Sequence, residues 1–135
     1  MSKKGILIIG AGGVSRVATV KCAMNIDTFE KITLASRTVS KCESMAADIL
    51  KNQGVQIDVA SVDADNVDEL VKLIEKVNPK LVLNVALPYQ DLTIMDACTK
   101  CGVDYVDTAN YEHPDVAQFE YKLQWARDNQ FKEAG

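Results

Sequence analysis

Five strand-like runs alternate with segments of helical spacing along the whole chain, and this alternation limits the fold more than any other feature. The runs are "ILIIG" (6–10), "ITLAS" (32–36), "VQIDVASV" (55–62), "LVLNVA" (81–86) and "VDYVDTA" (103–109). The first and fourth are almost continuously apolar, as in a strand buried on both faces. The first helix is predicted from about Gly13 to Asn25. In "SKCESMAADILKN", Ser40 and Glu43 have capping-box spacing, apolar Cys42, Met45, Ala46, Ile49 and Leu50 recur at helical intervals, and Gly54 stops the run. "NVDELVKLIEKVNP" repeats the pattern with Asn66 and Glu69 as the box and Pro79 as the stop. "DLTIMDACTKC" is expected to be capped by Asp91 and closed by Gly102, and Pro114 to open a last helix through "PDVAQFEYKLQWARDNQF". Strands joined by helices of this length must pair in parallel through right-handed crossovers. The fold class is therefore α/β, a doubly wound parallel sheet with expected strand order 3-2-1-4-5. There is no internal repeat, low-complexity stretch or linker, so residues 1–135 read as one domain.

The first strand runs directly into "GAGGVS". A strand–turn–helix junction presents free backbone N–H groups and the positive end of a helix dipole, which suits a pyrophosphate. Gly10 would permit the tight turn, and Gly12 would let the backbone touch the phosphates. Gly13 and Val14 would open the helix. The next fingerprint position needs a small residue for close packing; Ser15 qualifies, and its hydroxyl could also donate to phosphate. In this βαβ context the motif predicts a Rossmann-type dinucleotide-binding domain.

The tip of the second strand separates the two common dinucleotides. An NAD site usually places Asp or Glu there for the ribose 2′-OH. Here the strand ends in Ser36, Arg37 and Thr38, with Lys41 close behind and no carboxylate at the tip. A guanidinium fork and hydroxyl donors suit a 2′-phosphate, so the expected cofactor is NADP(H). Asp63 and Ala64, at the end of the third strand, would line the adenine pocket, although a turn or capping role suits Asp63 nearly as well. Asn84, Ala86, Leu87 and Pro88 would pass beside the ribose and nicotinamide half, with Pro88 stiffening the loop. Asp107, Thr108, Asn110 and Tyr111 would face the same crevice.

Other chemistries find little support. The net charge is −4 with no basic block, which disfavours nucleic-acid binding. There is no 18-residue apolar run, and the basic-then-apolar start ends in a glycine turn, so it reads as a strand and not as a signal peptide. Cys22, Cys42, Cys98 and Cys101 read as reduced, small buried hydrophobes. Cys98-x-x-Cys101 has no second pair and precedes Gly102 at a helix C-terminus, where the dipole does not lower a thiol pKa; no metal site is expected. Tyr-x-x-x-Lys, the relay of a short-chain reductase, is absent: Tyr89, Tyr105, Tyr111 and Tyr121 are followed four places on by Thr93, Ala109, Asp115 and Trp125. Arg37 argues against a methyltransferase, which would want an acid at that tip. His113, beside Pro114, reads as a helix cap. Tyr111 is the best candidate for reaching toward a nicotinamide, but no residue is assigned a catalytic role. Phe119, Tyr121, Leu123, Trp125 and Phe131 form an aromatic-rich set on the last helix, part of which should pack on the sheet and part of which should be left for a partner surface.

The segments "GAGGV", "LASRT.SKC", "NVALPYQDLTIMDAC", "GVDYVDTANYE" and "FEYKLQWA" together resemble the saccharopine dehydrogenase family, and more narrowly its carboxynorspermidine dehydrogenase (carboxynorspermidine synthase) branch. Ser15 departs from the glycine usual there. The resemblance implies an NADP(H)-linked oxidoreductase acting on a C–N bond. In the narrow branch, aspartate semialdehyde condenses with a diamine and the imine is reduced, a step of polyamine biosynthesis. In the broader family the product is saccharopine, in lysine metabolism. The resemblance further implies a cytoplasmic protein whose second α/β domain completes the small-molecule substrate site and a homodimer contact. This chain would then be the N-terminal cofactor half, inactive by itself. A non-catalytic NADP(H)-sensing module is the rival reading from another class.

Overall fold

The computed structural model describes residues 2–108, 111–116 and 121–135. Strand β1 (Ile6–Ile9) is buried at all four positions. It pairs in parallel with β2 (Ile32–Ser36) on one side and β4 (Leu81–Asn84) on the other. β3 (Asp58–Ser61) extends the sheet beyond β2, and β5 (Asp104–Asp107) beyond β4. The order is β3-β2-β1-β4-β5, as the alternation predicts.

The period of two along β1 divides the interior into two cores. Ile6 and Ile8 point to one face, where they meet Cys22 and Ala23 of α1 (Gly13–Met24) and Met45 and Ile49 of α3 (Val39–Gln53). Leu7 and Ile9 point to the other, against Leu70 and Ile74 of α4 (Val67–Val77) and Ile94 and Cys98 of α5 (Asp91–Cys101). Each fully buried aliphatic side chain contributes about 1.5–3 kcal/mol, so both faces of the sheet need their helices.

Local chemistry sets the ends of the elements, and in several places it departs from the expected caps. α1 stops one residue early, because the Asn25 amide donates to the Lys21 carbonyl at 2.8 Å and a separate turn, α2 (Ile26–Phe29), comes next. Ser40 does not cap α3. The helix starts at Val39, and the preceding turn is organised by the Ser36 hydroxyl, which accepts from Thr38 N–H (3.2 Å) and donates to Thr38 O (3.0 Å). Asn66 does cap α4, accepting from Glu69 N–H at 3.2 Å. Glu69 reaches past the expected reciprocal position and accepts from Asp63 N–H at 3.1 Å. Asp91 is not a cap either. Gln90 holds that position, after a single 3-10 turn over Pro88–Gln90, and Asp91 is buried inside the first turn of α5. Gly102 ends α5 in the left-handed conformation, as expected.

The long last helix is not continuous. His113 and Val116 form an isolated antiparallel bridge, so Pro114 sits in a turn, and the His113 ring accepts from Asp115 N–H at 3.1 Å without capping a helix. Two short helices close the chain, α6 (Lys122–Trp125) and α7 (Asp128–Ala134). Arg127 grips Asp96 of α5 through two bonds, Nε to Oδ1 at 2.6 Å and Nη2 to Oδ2 at 3.1 Å, and so ties α7 to α5. Phe131 packs on Tyr105, with ring centroids 6.2 Å apart, whereas Trp125 is 76% exposed. Phe119 and Asn110 lie outside the described residues. Cys22, Cys42 and Cys98 are buried free thiols and Cys101 is half-buried. Burial, and next Cys101, push the Cys98 thiol up to about 12.

Candidate functional site: a cavity at the glycine turn

The carboxyl ends of β1, β2, β3 and β4 converge on a cavity of about 430 Å³. Its floor is the glycine turn. Gly10 has φ +120°, and a Cβ there would lie 2.7 Å from the Val85 carbonyl oxygen and 2.9 Å from Ala86 N. Its glycine is thus demanded by the approach of the β4 chain end. Gly12 differs: a Cβ there would meet nothing within 4 Å and would stand in open space beside the cavity. The first N–H groups of α1 have no partner within the helix, and its first turn carries no acidic residue. The positive end of the dipole is therefore left for an anion.

Ser15 is fully buried, and its hydroxyl donates to the Gly10 carbonyl at 2.5 Å. The small residue does pack helix against strand. Its hydroxyl is committed to the turn, however, and not offered to a phosphate, which corrects the second role expected for it.

The β2 tip forms one wall with Ser36, Arg37, Thr38 and Lys41. Arg37 and Lys41 are exposed, and neither has an ion-pair partner among the described residues, so both cations are available. The Ser36 hydroxyl donates to Thr38 O and shapes the turn. Val62 and Ala64 from the end of β3, Val85, Ala86 and Leu87 from the end of β4, and Gln90 close the other side.

Of the residues expected at a cofactor site, Gly10, Gly12, Gly13, Val14, Ser36, Arg37, Thr38, Lys41, Ala64, Ala86 and Leu87 line this one cavity. Ser15, Asp63, Asn84 and Pro88 do not line it. Asp63 organises the β3–α4 turn, its carboxylate accepting from Asp65 N–H at 3.0 Å. Pro88 starts the 3-10 turn behind Leu87. Asn84 is buried: its Oδ1 accepts from Ala86 N–H at 2.9 Å, and its Nδ2 donates to Asp91 Oδ1 at 2.7 Å and to Tyr105 Oη at 3.1 Å. It holds the β4–α5 loop from below. Ile9, Ala11, Val62, Val85 and Gln90 line the cavity without having been singled out. The first four sit beside singled-out glycines or at strand ends, where register alone places them. Gln90 carried only its position two residues past Pro88.

Asp107 and Thr108 lie apart from this cavity, as does Tyr111. Asp107 joins a polar network under the ends of β4 and β5. Tyr105 Oη donates to Asp107 Oδ2 at 2.8 Å, and Gln124 Nε2 donates to Asp91 Oδ2 and to Asp107 Oδ2, each at 2.9 Å. Burial, then the nearby Asp107 charge, raise Asp91 to about 7, opposed by the Asn84 hydrogen bond. Burial also raises the Tyr105 phenol.

A carboxyaminopropylagmatine dehydrogenase from Synechocystis sp. is 52% identical over 130 residues, covering 96% of this chain and 32% of the relative. A carboxynorspermidine synthase from Vibrio alginolyticus is 42% identical over 140 residues, covering 96% of this chain and 34% of the relative. The chain thus spans about a third of the length of these curated relatives. Among solved structures, saccharopine dehydrogenase (L-Glu forming) from Saccharomyces cerevisiae superposes with a TM-score of 0.72 at 17% identity, over 98% of this chain and 25% of that one. An alcohol dehydrogenase from Thermococcus sibiricus, complexed with 5-hydroxy-NADP, superposes with a TM-score of 0.56 at 17% identity, over 93% and 67%. At such identities the likeness concerns the fold. The family model described as the saccharopine dehydrogenase NADP binding domain matches residues 6–135, and the chain belongs to that family.

Proposed function

We propose that the cavity at the glycine turn holds NADP(H) and that the chain is the cofactor-holding part of a longer, cytoplasmic oxidoreductase. That protein would reduce the imine formed between an aspartate semialdehyde-type aldehyde and an amine carrying a second cationic group. The relatives named carboxyaminopropylagmatine dehydrogenase and carboxynorspermidine synthase support this substrate class. The four free cysteines suit a reducing compartment. Among the described residues no helix is long and apolar enough to cross a membrane.

One observation carries the reading: at the β2 tip Arg37, without an ion-pair partner among the described residues, and Lys41 behind it flank a glycine turn whose Gly12 leaves the space a side chain would fill. NADPH, when bound, supplies a hydride to an acceptor carbon. This chain's contribution is to bind and orient. The N-terminus of α1 and the Gly12 backbone receive the pyrophosphate, Arg37 and Lys41 the 2′-phosphate, and Val62 and Ala64 an apolar ring. The substrate contacts and any homodimer contact belong to the rest of the protein.

The reading is tested by titrating this chain and Arg37→Ala with NADPH and with NADH. NADPH should bind clearly tighter to the unaltered chain, and the substitution should erase most of the difference. Equal affinity for the two dinucleotides in the unaltered chain would overturn the assignment of Arg37.

A further inference from the structure

The cavity at the glycine turn is lined by a buried polar side chain with no hydrogen-bond partner among the described residues. Gln90 is 4% exposed and lines the cavity. Its backbone is engaged: its N–H donates to Leu87 O at 3.0 Å, and its carbonyl accepts from the Thr93 hydroxyl at 2.9 Å. Its side-chain carboxamide makes no hydrogen bond among the described residues. Among the described residues the fully sealed polar side-chain atoms without partners are Thr19 Oγ1, Thr33 Oγ1 and Gln53 Oε1, so the carboxamide of Gln90 keeps some accessible surface. A buried amide with no protein partner costs about 1–3 kcal/mol unless something else satisfies it. Gln90 borders the cavity at the glycine turn.

Its position within the cavity is specific. The single Thr93 hydroxyl proton is shared between Ala64 O at 2.5 Å and Gln90 O at 2.9 Å, which sets Gln90 beside the segment that follows β3. β3 is the neighbour of β2, whose tip bears Arg37. Val62 and Ala64 make this corner apolar, and Gln90 supplies both a donor and an acceptor. A flat heteroaromatic ring with a donor–acceptor edge matches that combination. A carboxamide pairs with adenine through its 6-amino group and an adjacent ring nitrogen.

We propose that Gln90 is a cofactor-contacting residue that reads the edge of the adenine base, with Val62 and Ala64 packing beside the ring. This rests on the dinucleotide reading of the cavity and adds to it a contact for the base, separate from the phosphate contacts.

The test is calorimetric titration of the unaltered chain, Gln90→Leu, Gln90→Glu and Arg37→Ala. The ligands are NADPH, adenosine 2′,5′-bisphosphate, and the 2′,5′-bisphosphate of purine riboside, which lacks the 6-amino group. Gln90→Leu should weaken NADPH and adenosine 2′,5′-bisphosphate by the same factor, about 5–10-fold. The unaltered chain should prefer adenosine bisphosphate over the purine compound, and Gln90→Leu should lose that preference. Gln90→Glu keeps the shape of the side chain and should also bind the adenosine compound more weakly. If Gln90→Leu lowers the melting temperature, the Glu variant gives the binding result. A preference unchanged in the variants, no preference in the unaltered chain, or weakening of NADPH alone would overturn the proposal. If Arg37→Ala still weakens binding in those cases, the dinucleotide reading survives. If the unaltered chain binds none of the three, both fall.

Discussion

Asn84 and Asp91 share a buried hydrogen bond of 2.7 Å that joins the end of β4 to the first turn of α5. The loop between them forms one wall of the cavity at the glycine turn, so this pair sets the wall's position. Asp91 is held up near 7 from an ordinary value of 3.8, by burial first and by Asp107 second. A carboxyl group that keeps its proton longer in the folded state than in the unfolded state favours folding at low pH. Its contribution is complete below about pH 4 and is lost as pH rises through about 7. Over that window the loss amounts to at most about 4 kcal/mol. Denaturant unfolding between pH 4 and 8 should therefore show stability falling with pH, and Asp91→Asn should flatten that slope. A slope unchanged in the variant would refute the assignment.

The two glycines of the turn should separate stability from binding. Gly10→Ala places a methyl group against the Val85 carbonyl at a positive φ, which costs about 3 kcal/mol or more. Gly12→Ala places its methyl in open space. Its melting temperature should stay close to that of the unaltered chain, while NADPH affinity falls about tenfold or more because the phosphates lose their approach to the backbone. Equal binding by Gly12→Ala would remove the turn from the site.

Ser15→Ala makes the converse case. Removing the hydroxyl leaves the buried Gly10 carbonyl without its 2.5 Å donor and should cost about 1–2 kcal/mol. The hydroxyl does not face the cavity, so NADPH affinity should change by less than about twofold. A large loss of affinity with unchanged stability would show the hydroxyl serving the phosphate after all.

Trp125 predicts association of the isolated chain. It is 76% exposed, meets Tyr121 in a tilted ring contact with centroids 6.3 Å apart, and adjoins Val106, which is 48% exposed. Sedimentation should show a concentration-dependent oligomer that Trp125→Ser weakens. A strict monomer at high concentration would refute it.

The features legible in the sequence are those that periodicity and residue type impose. Ile6 to Ile9 announced a central strand, and the helices between the strands dictated the parallel order. The glycine turn and Arg37 were legible as neighbours on one cavity because glycine at a strand end and a charge at a strand tip carry residue-type signatures. The features that escaped depend on tertiary partners. Asp91 has the spacing of a helix cap, yet Asn84 and Gln124, far apart in sequence, draw it inward. Ser40 lost its expected role because Ser36 organises the turn two residues before the α3 cap. The helix expected from Pro114 needed contacts over its whole length. Arg127 instead clamps onto Asp96, and the described part divides into α6 and α7.

The alternation of β1 between the two cores has a consequence for how the molecule opens. Ile6 and Ile8 belong to one packed half, Leu7 and Ile9 to the other, and both flanking strands bond to the same four residues. Loss of either packed half strips only one face of β1 and leaves both flanking strands paired to it, so that strand should be the last to open. The amide protons of Ile6 to Ile9 should exchange with solvent only at the rate of complete unfolding, while those of β3 and β5 exchange through fraying of the sheet edges. The glycine turn begins at the residue after Ile9, so the cavity floor, the proposed phosphate cradle, is suspended from the slowest-exchanging segment of the chain.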